Sequence, residues 1–507
     1  MSTHNPHNTD PQDDDPEDDG DAMLDPDEAG EEIENDGDVA MDSDDEGDPN
    51  APLEEIQLQN DSVAHFDKHT DSIFCISQHP VHTNIVVTGG GDDVAYIWDS
   101  SSGRQERPVL PTSYESSPAG GVKERAGIEA TQKLDGHTDS VNGVAFMFPK
   151  GEYVVTAGLD GRLRAWRDAA GTGQKWEFVA DAQEVEEINW ISACPSPAHP
   201  NTIALGANDG SVWIYTIDAS NAPNPLTITQ AFYLHTAACT AGTWSPDGSL
   251  LATVAEDSSF YVWDAFGDAA EAGLTSAGQG GGQTVVGLTE VDERFRVDGG
   301  LYSVAVSPNS SFAAVGGADG NIRIVGLPRL GAAASSQGAA GQRGGGAKNK
   351  AAAGQILASL QTQGESIESI SFAQAANLTL MATASVDGSI ALFDWSHNFA
   401  VRRHIKEAHE GEAVIKVEFA PAASIPVNAA TAGSGRGPWL LTSCGNDGVV
   451  RVWDTRGGTA AAGQGFLRQW QGHRGGGEGG GVLGFVQDGS GRVVTAGDDG
   501  IGLVFEP

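Results

Sequence analysis

One phrase limits what this chain can fold into: Gly445-Asn446-Asp447-Gly448-Val449-Val450-Arg451-Val452-Trp453-Asp454. An acidic turn residue stands six positions before an aromatic, with alternating apolar residues between them. That is the pattern of a tight turn feeding a half-buried strand. The phrase recurs. Turn acids stand at Asp92, Asp160, Asp209, Asp257, Asp319, Asp387, Asp447 and Asp499, and six residues after each come Trp98, Trp166, Tyr215, Trp263, Val325, Phe393, Trp453 and Phe505. The steps between turn acids are 68, 49, 48, 62, 68, 60 and 52 residues, so each unit is a constant core with a variable loop. Four residues before the turn acid lies a hydroxyl in six copies, Thr88, Thr156, Thr253, Thr383, Ser443 and Thr495; Leu205 and Val315 are the exceptions.

In three units a histidine, His69, His137 or His235, precedes the closing Trp by 28 or 29 residues. This pattern resembles the WD-repeat β-propeller, in which every repeat builds one four-stranded blade. The resemblance spans about Asp61 to Pro507 and implies an all-β, eight-bladed ring. It also implies a buried relay of histidine, hydroxyl, turn acid and indole in four repeats: His69-Thr88-Asp92-Trp98, His137-Thr156-Asp160-Trp166, His235-Thr253-Asp257-Trp263 and His409-Ser443-Asp447-Trp453. Such a relay is physically apt, because a buried indole N–H and a hydroxyl need partners that an imidazole and a carboxylate supply. Repeats three and five lack the His and the hydroxyl, repeat six lacks the His, and the last has His473 and Thr495 but Phe505 in place of Trp. Those four are expected to hold by packing alone. The relay also looks like a hydrolase triad, but a trio repeated around a ring is structural, and no enzyme is expected.

The chain ends directly after the third strand of the last repeat, whereas Asp61-Ser62-Val63-Ala64-His65-Phe66 reads as one strand too many at the start. Ser62 to Phe66 is therefore expected to pair with Leu503 to Phe505, closing the ring and removing an exposed edge. Ahead of that strand, residues 1–60 hold 23 Asp or Glu and no Lys or Arg. Such a segment buries too little apolar surface to offset its ordering entropy, so an acidic disordered tail (1–60) before a propeller (61–507) is expected. Long insertions at 101–131, 265–290 and 328–354 read as flexible excursions, with shorter ones near 422–437, 455–464 and 474–481.

Charge narrows the partners. The tail carries −23 of a net −43, leaving −20 on the rest, so both parts repel nucleic acid and anionic membrane and attract basic protein. Cys75, Cys194, Cys239 and Cys444 show neither metal nor redox spacing, and no apolar leader or span is present. The cytoplasm is the expected compartment, with the nucleus second. The glycines of 341–350 lack the Gly-Lys-Ser/Thr of a phosphate loop, and Arg343, Lys348 and Lys350 read as a solvated basic patch. No cofactor or metal is expected, because no two acids have a calcium-loop spacing.

Propeller ligands sit at one mouth of the central channel, on the opening loops and the turns between second and third strands. There this sequence places Asp71, Asp139, Glu184, Glu186, Glu187, Glu256, Asp298, Glu365, Glu368, Glu407, Glu410, Glu412 and Asp498, with Trp190 and Tyr302 on strands entering nearby. The first repeat (Phe66 to Ile76, then Val87 to Asp93), the degenerate third repeat at Glu186-Glu187-Ile188-Asn189-Trp190, and Ser385-Val386-Asp387-Gly388 resemble the angio-associated migratory cell protein family. The fungal branch of that family consists of dedicated chaperones for a very basic ribosomal protein of the large subunit. The resemblance implies a monomeric binding protein that captures the Arg/Lys-rich N-terminal segment of such a client on its acidic face. The alternative is a scaffold or adaptor in a signalling or ubiquitin-ligase complex.

Overall fold

A computed structural model describes residues 59–102, 126–275, 283–328, 330, 353–375, 377–421, 437–457, 462–475 and 480–507. The expected acidic tail, the basic patch at 341–350 and much of the insertions lie outside these residues. The described chain folds into eight sheets, the blades of a propeller; seven have four antiparallel strands, and the eighth has four with a short fifth strand added at its edge. The only α-helix among the described residues is the single turn Asp268–Glu271.

The innermost strands are Ile73–Gln78, Val141–Phe146, Ile188–Ala193, Cys239–Trp244, Leu301–Val306, Ile367–Phe372, Val414–Phe419 and Val482–Gln487. Each lies beside the inner strand of the next blade, and the eighth lies beside the first, so the ring is closed. The second strands, such as Ile85–Gly90 and Leu250–Ala255, are buried along their whole length. Both of their faces are covered by neighbouring blades, which is why they are written in Val, Ala, Leu, Gly and Thr rather than in an apolar–polar alternation.

Closure uses the N-terminal strand Ala64–Phe66, which pairs antiparallel with Gly502–Phe505: Ala64 with Val504, His65 with Leu503 and Phe66 with Gly502. Val63 N–H extends the ladder to the Val504 carbonyl at 2.8 Å. The Phe66 ring then stacks on the Trp98 indole at 4.8 Å, coupling the closing strand to the core of the first blade.

Three insertions are more structured than expected. Within 101–131, Ala126–Gly127 runs parallel to the closing strand, Ile128 N–H bonds to the His65 carbonyl at 2.8 Å, and Ala130–Leu134 is the outer strand of blade one. The closing strand is thus itself covered on its free edge. Within 265–290, the turn Asp268–Glu271 and Leu274 pack into the core, and Thr284–Leu288 is the outer strand of blade four. Buried Ala269 and Leu274 carry the signal that a count of glycines hides. The third is the 455–464 stretch, where Arg403 of blade six anchors the loop by donating to the Asp454, Gln464 and Arg456 carbonyls.

Deleting residues 1–58 should leave the melting temperature within about 2 °C, because the closing strand stays intact. Deleting 1–68 should uncover the edge of Gly502–Phe505, lower the melting temperature and cause aggregation visible by light scattering. Identical behaviour of the two truncations would contradict the closing role.

Candidate functional site

The rim of the channel is built by interlocking turns. In six blades the residue after the turn acid is a glycine with positive φ: Gly161, Gly210, Gly320, Gly388, Gly448 and Gly500. A Cβ at these positions would stand 1.9 to 3.0 Å from backbone of the next blade's opening loop. Asp-Gly is therefore required twice over, for the left-handed turn and for the close approach. Asp93 and Ser258 take the position, also at positive φ, in blades one and four.

Behind the rim lie the hydrogen-bond relays. His69 Nδ1 donates to Asp92 at 3.0 Å, its Nε2 accepts from Thr88 Oγ1 at 3.0 Å, and the Trp98 indole donates to the same hydroxyl at 3.2 Å. His409, Asp447, Ser443 and Trp453 repeat the set at 2.8, 2.8 and 2.9 Å. This pattern needs a neutral imidazole with its proton on Nδ1. Burial pushes the pKa of His137 and of His409 down, against the pull of Asp160 and Asp447. Asp160 is held below the usual carboxylate range: burial opposes its charge, and bonds from Thr138 N–H, His137 and Arg162 N–H outweigh it.

The sets depart from expectation in four places. In blade two, His137 reaches Asp160 and Thr156 at 3.0 and 2.7 Å, but the Trp166 indole does not join; its ring lies against Phe178, under Arg164. In blade four, Ser259 is inserted between His235 and Asp257, while Thr253 still bridges to Trp263 at 2.8 Å. Blade six was expected to rely on packing, yet Gln363 stands where the histidine would: it accepts from Thr383 and donates to the Ser389 carbonyl at 2.9 Å. An amide offers the same donor and acceptor as a neutral imidazole. The last blade also has a relay, His473 to Asp499 at 3.0 Å and to Thr495 at 2.8 Å, with Phe505 stacked on Trp470 in place of an indole bond.

The candidate binding residues separate into three groups. Asp71, Asp139, Glu186, Glu187, Glu256, Glu365, Glu368, Glu407, Glu412 and Asp498 stand on opening loops, turns or inner-strand starts of seven blades, and none forms an ion pair with a described residue. Most are exposed; Glu368 is half-buried and accepts from Ser366 Oγ at 2.7 Å, and Asp498 accepts from Ser72 Oγ at 2.7 Å across the closing joint. A second group is already neutralised: Asp298 by Arg296 at 2.7 Å, and Glu410 by buried Arg451 at 3.0 Å. Arg451 also donates to Asp447, tying the rim to the fourth relay.

Two residues fall elsewhere. Glu184 lies in the outer groove between blades two and three with Tyr215, where burial raises the pKa of Tyr215 and the charge of Glu184 raises it further. Trp190 is half-buried. Its ring is wedged between blades three and four, where a Cβ on Gly206 or Gly242 would come within 2.2 or 2.0 Å of it. Tyr302 does sit at the mouth, with its hydroxyl donating to the Gly299 carbonyl at 2.7 Å. Burial raises its pKa, and Glu256 and Glu368 raise it further. Carboxylates from blades four and six thus flank an aromatic of blade five.

Sequence reading missed a further ring. Every inner strand carries a β-bulge at its second residue: Phe74, Asn142, Asn189, Thr240, Tyr302, Glu368, Ile415 and Leu483. A bulge re-aims its side chain, here away from the blade core. Asn142, Asn189 and Thr240 use that aim to bond the Ile188, Cys239 and Leu301 carbonyls of the next blade at 2.6, 3.1 and 2.5 Å. Phe74 has no such partner and is 41% exposed.

Among the described residues no cluster of His, Cys, Asp or Glu is placed to hold a metal ion, and no helix is long and apolar enough to cross a membrane. The four cysteines are free thiols, and burial raises the pKa of Cys194 to about 11 and those of Cys239 and Cys444 to about 12.

Known proteins share this architecture. The family model for the WD domain, G-beta repeat, matches residues 60–99, 128–167, 226–264, 294–325 and 407–454. The ribosome assembly protein SQT1 of Saccharomyces cerevisiae is 28% identical over 472 residues, covering 89% of this chain and 88% of its own. The human angio-associated migratory cell protein is 24% identical over 443 residues, covering 87% and 79%. The crystal structure of Chaetomium thermophilum Sqt1 bound to the N-terminus of the ribosomal protein L10 matches with a TM-score of 0.73 at 48% identity, over 89% of this chain and 100% of that one.

Asp160→Asn should destabilise the protein by about 1–3 kcal/mol in denaturant melts, since it weakens a charge-assisted acceptor for buried donors. Asp319→Asn should change little, because Asp319 joins no relay and asparagine tolerates its φ of 54°. Burial holds His235 down at about 4, well below its ordinary 6.5. The unfolded chain therefore binds the extra proton first, so stability should be fully present above about pH 6.5 and fall as pH drops toward 4. His235→Gln should flatten that fall in melts at pH 7, 6 and 5.

Proposed function

The chain belongs to the WD-repeat family, in the group that includes Sqt1, and from that premise we propose that it is a dedicated chaperone of ribosome assembly. Its client is the basic N-terminal segment of a large-subunit ribosomal protein, of which L10 is the nearest example. The observation that carries this reading is the set of carboxylates, without ion pairs among the described residues, that seven blades carry on their opening loops, turns and inner-strand starts. Leaving so many like charges without counter-ions costs stability, and a cationic ligand recovers it.

Arginine suits the site better than lysine. Its planar fork matches neighbouring carboxylates such as Glu186 and Glu187, and the Tyr302 ring between Glu256 and Glu368 offers a stacking face. An exposed pair contributes at most about 1 kcal/mol, so affinity needs several pairs acting together with an aromatic anchor. The acidic tail, on this reading, steers the client toward the mouth and raises the association rate. Binding, not catalysis, is the activity: the histidine–hydroxyl–acid sets are consumed in holding blades together. The working compartment is the cytoplasm, where ribosomal proteins are made, and the protein acts as a monomer.

The test is client affinity across a salt series for Glu186→Lys/Glu187→Lys, Glu365→Lys/Glu368→Lys and a chain lacking residues 1–58. The mouth reversals should lower affinity at least about 100-fold with unchanged melting, and tail removal should mainly slow association. Raising salt from 0.1 to 1 M shortens the screening length from about 10 Å to about 3 Å and should weaken every complex. If the tail-less chain loses all affinity while the mouth variants bind normally, the client sits on the tail and the reading fails.

A further inference from the structure

The eight bulge positions form one ring at the channel mouth, and only two of them are aromatic: Phe74 in blade one and Tyr302 in blade five. Four steps apart in a closed ring of eight, they stand on opposite sides of the channel. Each has carboxylates beside it. A Cβ on Gly91 would stand 3.1 Å from Asp71 Oδ2 and 3.3 Å from Phe74 Cε2, so ring and carboxylate flank the same point. Asp71 keeps its local bond to Ser72 N–H at 2.7 Å and leaves its other oxygen without an intramolecular partner among the described residues. Across the channel, Glu368 occupies the bulge position next to that of Tyr302, and the Glu256 backbone lies against Gly300, two residues before Tyr302.

An exposed phenylalanine beside a carboxylate at a polar rim has a cost in water that a guanidinium removes: its flat face covers the ring while its edge bonds the acid. The other polar bulge residues have no such freedom, since Asn142, Asn189 and Thr240 are spent on joining blades. We propose that Phe74 with Asp71, and Tyr302 with Glu256 and Glu368, are two opposed arginine seats, and that the client is read by two arginines placed to span the channel mouth. This rests on the basic-client reading above and adds to it a rule: net positive charge alone does not suffice, because two planar cations must reach two fixed rings.

The probe is a synthetic peptide of the L10 N-terminal segment, with versions in which single arginines become lysine, titrated against the full chain at 0.1 and 0.5 M salt. Phe74→Ala and Tyr302→Ala should each weaken binding about 3- to 30-fold, in line with a desolvated cation–aromatic contact. Distant and sharing no partner, the two losses should multiply in the double variant. Their effect should persist at 0.5 M salt, where paired charges are screened. Phe74→Tyr should bind as the unaltered chain does, and Phe74→Leu should behave like Phe74→Ala, which separates stacking from plain packing. Two arginine-to-lysine peptides should each become insensitive to one of the two ring variants. If both ring variants bind every peptide as tightly as the unaltered chain while Glu186→Lys/Glu187→Lys loses binding, the seats do not exist and the acidic mouth alone holds the client. If Phe74→Leu binds normally, the ring is an apolar contact and not a cation seat. If the unaltered chain fails to bind the peptide, the client reading falls and the seats fall with it.

Discussion

Everything at the mouth depends on the antiparallel joint between Ala64–Phe66 and Gly502–Phe505. A blade cannot bury both faces of its second strand alone; it needs a neighbour on each side, and only a closed ring gives every blade two. The joint also completes the rim. Ser72 on the first opening loop bonds Asp498 on the last turn, so the first and last blades are also joined at the mouth, beside the point where the chain's ends are fastened. Covering the closing strand with Ala126–Gly127 protects that fastening from competing strands.

The same residues that build blades also set the electrostatics. Turn acids such as Asp92 and Asp160 are consumed inward, accepting from histidines and from backbone N–H groups. Asp71 and Asp139, two residues after the opening histidines, are exposed and have no cationic partner among the described residues. The carboxylates that hold the blades and those proposed to bind the client are thus different residues of the same loops and turns. Blade five is an exception in both respects: Asp319 joins no relay, and Asp298 is held by Arg296, leaving Tyr302 as that blade's contribution to the mouth.

Much of this was legible in the chain itself, because an Asp-Gly turn followed by an alternating strand has few other meanings. The eight turn acids, the closing strand and the acidic loops could be placed by counting. What could not be counted was side-chain direction. A bulge leaves no mark in an apolar pattern, so Phe74 did not stand out, while Trp190, one residue beyond a bulge, was placed at the mouth. In the fold Phe74 is turned out and Trp190 is wedged between Gly206 and Gly242. Gln363 was missed for another reason. It lies 24 residues before Asp387, against 23 between His69 and Asp92, and a search restricted to histidine passes over an amide with the same hydrogen-bonding capacity.

The central claim is that a basic segment lies over the channel mouth and not along the outer strands or the opposite end. Site-specific photo-crosslinking tests this most directly, with a photoreactive residue placed singly at Thr70 or Thr236 on mouth loops, at Val81 on the loop at the other end of the first inner strand, and at Leu467 on an outer strand. The account predicts crosslinks to the L10 N-terminal peptide from Thr70 and Thr236, lost at high salt, and background signal from the other two. Strong crosslinks from Val81 or Leu467 with none from the mouth positions would contradict it.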